Sequence, residues 1–358
     1  MMINKIYKYR PLSDFLFKEL FYQEIYFASY SELNDPLDLH ARINFYPRNK
    51  EAIKYLLNFI VKSQCFDFSD PKSLGINKSW IELYKNDEKC NTIIDEIFKK
   101  STHLFEKDES IWCDDIIEII SDSINDRNVI FDSLSFKKEI ERLTNKFLKS
   151  SYVTCFSETN NNFLMWSHYS SKHSGICLEF NLNHNNFPYE MQHKRVLNEV
   201  KFKQQVSEWE TKTLIFWDNL KKVKYEEMQP CINFYHFAPV FQNEHDCDLL
   251  GLSKSWTHKY AFELENLFST KTKSWEYENE WRAIEINFEN QKFPEERTRH
   301  YPIECLSAIY FGINTPEEVK NRIYKILYEK NHEIDFFEAE LNGTNMIEFK
   351  YWECKEDY

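Results

Sequence analysis

Glycine is nearly missing from this chain, with five in 358 residues. Phosphate loops of the Rossmann or P-loop kind need several closely spaced glycines, so the sequence excludes both. Cys-x-x-Cys pairs are absent as well. The nine cysteines fall at 65, 90, 113, 155, 177, 231, 247, 305 and 354. Cys231, His236, His245 and Cys247 match no common zinc-finger spacing, and their grouping reads as accidental. Most cysteines sit in apolar runs, as Cys155 does in Tyr-Val-Thr-Cys-Phe. Free thiols acting as small core residues fit that pattern and point to a reducing compartment. No apolar run is long enough to span a bilayer, so the expectation is a cytoplasmic protein that meets no membrane. Positive charge is in deficit: 45 Lys and Arg face 58 Asp and Glu, for a net charge of −13. Such a surface repels phosphate backbones and argues against broad nucleic-acid binding. A local basic pocket for a small anion or an RNA end remains compatible with it.

Aromatic residues are abundant, at 17% with 30 Phe and 21 Tyr, and hydrophobic residues reach 42%. A chain of this length buries about 75% of its unfolded surface, enough for a core without disulfide or metal staples. The pattern predicts a single α+β domain over 1–358 with a mixed or antiparallel central sheet. Strands are expected at Ile6–Arg10, Ile25–Ala28, Tyr152–Ser157, Ile176–Phe180, Trp275–Ile286 and Ser307–Phe311, with two more near 333–339 and 346–351. Ser13 or Asp14 caps a helix to about Phe21, and a short helix covers Met165–Tyr169. Residues 50–149 carry apolar positions three and four apart and read as a mainly helical insertion. Further helices are expected over about 205–222 and 257–269. Near the C-terminus, Thr315 as cap and Pro316 at the first helical position open the helix of a strand-helix-strand unit.

Four segments could carry chemistry. In Lys271-Thr-Lys-Ser-Trp-Glu-Tyr-Glu-Asn-Glu-Trp-Arg282, a strand would put Glu276, Glu278, Glu280 and Arg282 on one face. Carboxylates spaced two apart repel, so Arg282 and Lys273 are the expected partners. The same run reads equally as a solvated edge strand. In Ile6–Arg10, Lys8 and Arg10 share a face that could hold a phosphate, with Tyr7 or Tyr9 available for stacking. An N-terminal edge strand explains that segment as well. In Ser29-Tyr-Ser31-Glu-Leu-Asn34-Asp35-Pro-Leu-Asp38, turn formation accounts for Asn34 and Asp35, while Asp35 and Asp38 with the later glutamates could bind a metal. In Met165-Trp166-Ser-His168-Tyr169, Trp166 and Tyr169 share a helix face that usually means core. His168 could act as a base or donor, or pair with Cys155.

Taken in order, these landmarks resemble the bacterial family filed as domain of unknown function 2971. They are Tyr-Lys-Tyr-Arg10, Leu33-Asn-Asp-Pro-Leu-Asp38, Cys155-Phe-Ser157, Met165–Tyr169 with Gly175-Ile-Cys-Leu-Glu-Phe180, Trp275–Arg282, and Ala308-Ile-Tyr-Phe-Gly312. The resemblance implies a bacterial protein, some relatives of which accompany phage-defence or abortive-infection genes. A second resemblance, to the ADP-ribosyltransferase superfamily, rests on Arg10, Ser29-Tyr-Ser31 and Glu278-Asn-Glu280 in that order. Only 19 residues separate Arg10 from Ser29, shorter than is usual there. It implies NAD as substrate and no metal. Arg10 would hold a phosphate or ribose, and Ser29 or Ser31 the nicotinamide ribose. Glu280 would stabilise the oxocarbenium-like transition state, and Glu278 would deprotonate the acceptor. Lys8, Tyr9, Asn34, Asp35, Trp166, His168, Tyr169 and Arg282 complete the expected binding set. This reading requires Arg10, Ser29 and Glu280 to converge in one cleft. Its partners are a small nucleotide, a macromolecular acceptor or a protein of a defence system. The alternatives are a carboxylate-metal nuclease using Asp35, Asp38, Glu278 and Glu280, and a non-enzymatic sensor whose helical insertion binds a partner.

Overall fold

The structure, a computed structural model, describes residues 4–40, 42–65, 80, 82, 83, 85–124, 129, 131–149, 151–182, 220–237, 266–286, 293–330, 332–343 and 346–354. The first strands are β1 (Lys5–Arg10), β2 (Glu24–Tyr26), β3 (Ala28–Ser29) and β4 (Arg42–Asn44). After them come β5 (Ser151–Ser157), β6 (Ile176–Asn181), β7 (Leu220–Lys222), β8 (Lys224–Glu226), β9 (Cys231–Asn233) and β10 (Thr270–Thr272). The last are β11 (Glu280–Ile286), β12 (Thr298–His300), β13 (Leu306–Phe311), β14 (Asp335–Leu341) and β15 (Ile347–Tyr351). The helices are α1 (Asp14–Tyr22), α2 (Lys50–Cys65), α3 (Asp87–Asp108), α4 (Cys113–Ser123), α5 (Ser133–Lys149), α6 (Phe163–Tyr169), α7 (Phe234–Phe237) and α8 (Glu317–Tyr328).

The fold is α+β, and the chain divides into two compact units. The first holds Met1–Pro36, Ser151–Met228 and Ser269–Tyr358. Its described strands include a nine-stranded sheet in the order β15-β14-β13-β6-β1-β5-β11-β7, with β3 also on β5. Within this sheet pairing is antiparallel except for β13 with β14, which α8 links as a parallel crossover. Alternating residues send apolar side chains to both faces. Ile6, Phe156, Phe180, Ile309 and Phe311 pack with Leu16 and Leu20 of α1 and with Ile323 and Leu327 of α8. Tyr9, Cys177 and Tyr310 pack with Met165 and Trp166 of α6 on the opposite face. Each such aromatic or leucine contributes about 1.5–3 kcal/mol by leaving water.

Local signals explain where these elements stop and start. Ser13 accepts a hydrogen bond from the Leu16 amide at 3.3 Å, and α1 ends where Gln23 turns left-handed at φ 54°. Gly175 and Gly312 bring backbone segments together where no side chain fits. A Cβ would lie 2.2 Å from the Arg10 carbonyl at one and 2.2 Å from the His173 carbonyl at the other. Thr315 donates its hydroxyl to the Gly175 carbonyl at 2.8 Å instead of capping α8, and Pro316 occupies the cap position. The expected strand Ile25–Ala28 is split between β2 and β3.

The second unit holds Leu37–Ser150 and Gln229–Phe268. Helices α2 to α5 occupy most of its described part, and β4 pairs in parallel with β9. Its core is aromatic: Phe45 stacks on Phe234 at 4.6 Å, and Phe136 lies against Phe45 and Phe59. Of the helix expected at 205–222, residues 205–219 lie outside the described residues and 220–222 form β7. Residues 257–265 also lie outside them, as do His245 and Cys247, while 266–268 are helical. None of the described helices is long and apolar enough to cross a membrane.

Candidate functional site

The run from Trp275 to Ile286 is not one strand. Lys273–Glu278 form a 3₁₀ turn, Asn279 takes the left-handed conformation at φ 44° and ψ 53°, and β11 starts at Glu280. Asn enters that region more readily than most residues, which explains the break at this point. The alternation expected across Glu276, Glu278, Glu280 and Arg282 therefore fails. Glu278 leaves the strand and turns inward. Three contacts fix the turn: Ser157 donates to the Glu278 carbonyl at 2.7 Å, Asn162 to the Tyr277 carbonyl at 2.7 Å, and the Glu280 amide to the Tyr225 hydroxyl at 2.8 Å. β11 lies between β5 and β7, so it is an interior strand. Glu278, Glu280 and Arg282 are buried, at 2%, 3% and 0% exposure.

Two cations hold the two carboxylates. Arg282 grips Glu280 in a fork, with Nε 2.7 Å from Oε1 and Nη2 3.0 Å from Oε2. Lys271 donates to Glu278 Oε2 at 2.8 Å and approaches Glu280 Oε2 at 3.4 Å. Its ammonium also lies 4.5 Å from the centre of the Trp275 ring. The Cys155 thiol hydrogen-bonds to Glu280, and burial followed by that carboxylate raises its pKa well above the ordinary value. This environment favours the neutral thiol over the thiolate. Burial alone would raise the Glu280 carboxyl, but Arg282 and Lys271 overcome it and hold Glu280 below the usual range. Burial and then repulsion from Glu280 push Glu278 up to about 7. The two cations favour the anionic form of the inner carboxylate, while burial and its neighbour's charge favour the neutral form of the outer one.

Glu278 also has a path outward. Tyr169 on α6 donates its hydroxyl to Glu278 Oε1, and Asn34 donates to the Tyr169 oxygen at 2.7 Å. Burial and then the Glu278 charge keep the Tyr169 phenol protonated far beyond its ordinary range. Asn34 and His168 are exposed, and Tyr169, Trp275 and Tyr277 are half-buried. His168 and Trp275 lie 6.4 Å and 6.1 Å from Tyr277. A buried acid thus reaches an aromatic rim through one phenol.

Other expected site residues are placed elsewhere. Tyr7 faces Ser157, and Ser157 faces Glu280, so Glu280 shares the sheet face of Tyr7. Arg10 stands three residues along β1 and points to the opposite face. There it forks onto Glu19, with Nε at 2.9 Å and Nη2 at 2.6 Å. Ser29 and Ser31 bond to each other at 3.2 Å, and Ser29 caps the next turn through Glu32, which Arg297 also holds at 2.6 Å. Arg10, Ser29 and Glu280 therefore do not converge. Lys8 donates to Thr154 at 2.7 Å and the Cys155 carbonyl at 3.1 Å; burial, then Arg10, lowers its pKa to about 8. Tyr9 donates to the Thr159 carbonyl and packs edge-on against Trp166 at 5.3 Å. Trp166 is 0% exposed with its indole N–H on the Asn160 carbonyl, so both rings belong to the core. Asp35 is buried in the first unit, and Asp38, in the second, accepts from the Leu39 amide at 2.8 Å. No group of three or more His, Cys, Asp and Glu suited to a metal occurs among the described residues.

Sequence reasoning missed Lys271 and chose Lys273, which pairs instead with the exposed Glu227 at 2.8 Å. Tyr225 was missed too. Lys271 pairs in parallel with Tyr225 across β10 and β8, so neither role shows in a linear pattern.

Residues 165–283 match the family model described as "Protein of unknown function (DUF2971)". The match takes in Met165–Tyr169 and Trp275–Arg282 and stops before Ala308–Gly312. No curated protein matches the chain, and no solved structure does.

Proposed function

We propose that this protein is an enzyme that cleaves the glycosidic bond of a nucleotide, with NAD as the first candidate and Glu278 and Tyr169 as its proton-transfer pair. One observation carries the reading: the chain of hydrogen bonds from Asn34 through Tyr169 to Glu278, a carboxyl that burial and the neighbouring Glu280 push up to about 7. A group of that kind suits a general base, because it is free to accept a proton at neutral pH and acidic enough to give it up. In NAD the nicotinamide leaves as a neutral ring, so the leaving group needs no acid. The water or other acceptor that attacks the ribosyl cation must lose a proton. Tyr169 relays that proton to Glu278, while the fixed negative charge of Glu280 lies behind it. His168, Trp275 and Tyr277 offer flat faces against which a base or nicotinamide ring stacks. The motif resemblance supports a setting in phage defence, where loss of NAD halts an infected cell.

Arg10 and Ser29 have no part in this mechanism. The test is nicotinamide release from NAD by purified protein, alone and with cell lysate as a source of acceptors. Tyr169→Phe keeps the ring and removes the relay, and its rate is expected to fall about 10²-fold or more. Equal release from wild type and Tyr169→Phe would remove the proposal.

A further inference from the structure

The sheet of the first unit ends at β15, and no described strand covers that strand's outer edge. Backbone hydrogen bonds tell which residues face outward. The Met346 carbonyl accepts from the Asn342 amide at 3.0 Å, and the Trp352 amide donates to the Phe336 carbonyl at 2.8 Å. Both are even-numbered positions of this strand and point to β14. Antiparallel strands alternate, so Ile347, Phe349 and Tyr351 present their amides and carbonyls to the open edge. Along this edge Leu341, Met346 and Tyr351 are 49%, 61% and 59% exposed, while Ile347 and Phe349 pack into the core beside Tyr310. Bare edges of this kind are normally covered or broken up.

We propose that β15 pairs antiparallel with β15 of a second copy about a two-fold axis at Phe349. The register is self-complementary on two counts. Phe349 meets Phe349, and Ile347 meets Tyr351, so every outward amide finds an outward carbonyl. Glu348 then stands opposite Lys350 of the second copy, in the non-hydrogen-bonded pair where side chains come closest. Each copy supplies one charge of each sign, so two ion pairs flank the axis. Glu348 now accepts from Asn342 at 2.7 Å, and Lys350 now pairs with Glu340. Both lie on the edge strand and can share these contacts with a partner. Shifting the register by two residues would keep the outward amides and carbonyls paired but set Glu348 against Glu348, or Lys350 against Lys350, of the second copy. Two copies would then carry one continuous sheet.

Sedimentation equilibrium of the full chain across micromolar concentrations tests this. Wild type is expected at twice the 43.6 kDa chain mass. Lys350→Glu places Glu opposite Glu348 of the second copy and should weaken association about ten-fold or more. The double change Glu348→Lys with Lys350→Glu restores opposite charges and should restore the dimer. Phe349→Pro removes only an outward amide and the ring, leaving every bond to β14, and should yield monomers with native circular dichroism. A wild type that stays monomeric overturns the proposal. So does a dimer untouched by both Lys350→Glu and Phe349→Pro. A natively folded double variant that fails to dimerise overturns the register.

Discussion

Lys271 serves two carboxylates at once, 2.8 Å from Glu278 and 3.4 Å from Glu280. All three side chains are nearly sealed from water. A buried ion cluster gives little net stability over apolar packing, yet losing one member leaves a charge stranded. Lys271→Met is therefore expected to destabilise the protein by about 3–5 kcal/mol, read from denaturant unfolding. Adding Glu278→Gln to that change removes the stranded charge and should recover part of the loss. A double variant no more stable than Lys271→Met would contradict the shared-cation account.

The same cluster sets a pH dependence of stability. Glu278 keeps its proton to about pH 7 in the folded state, against an ordinary value of 4.5. Folded protein binds more protons between those limits, so stability falls as pH rises from about 4.5 to about 7. Glu280 acts with the opposite sign: held low by Arg282 and Lys271, its contribution is present above the ordinary carboxyl range and lost as pH falls through about 2. The two carboxyls titrate as a pair. Glu278→Gln should flatten the decline between pH 4.5 and 7 in denaturant midpoints. An unchanged decline would assign it elsewhere.

Arg10 separates the structural account from the linear one. Its fork onto Glu19 lies on the sheet face away from Glu280. Arg10→Gln should lower stability by about 1 kcal/mol and leave nicotinamide release unchanged. A large loss of release with native folding would restore Arg10 to the site.

Backbone strain yields a further expectation. Ser171, Lys172 and His173 follow one another at φ 47°, 54° and 67°, all left-handed. Each non-glycine residue there costs about 1–2 kcal/mol. Lys172→Gly should raise the melting temperature, and Gly175→Ala, which drives a methyl to 2.2 Å from the Arg10 carbonyl, should lower it sharply. The opposite order would mean that the turn relaxes freely.

Strands and caps were legible where one local rule operates. Alternation in Ile6–Arg10 and the hydroxyl of Ser13 marked β1 and α1 closely. The central site was only half legible. Glu278, Glu280 and Arg282 stood out as a charge run, but the left-handed turn at Asn279 was hidden within an apparent strand period. Lys271 and Lys273 are indistinguishable by spacing, and only the pairing of β10 with β8 turns one inward. Tyr169 drew attention through its helix, while its contact with Glu278 spans 109 residues of sequence. Arg10 misled because order along the chain says nothing about which sheet face a side chain takes.

The most direct test compares nicotinamide release from NAD by wild type and Glu278→Gln across pH 5 to 9. We expect wild-type kcat/KM to rise through about pH 7 as Glu278 ionises, and the Gln variant to lose that limb with about 10²-fold of the rate. Release that is equal in both proteins, or absent from both, would contradict the account.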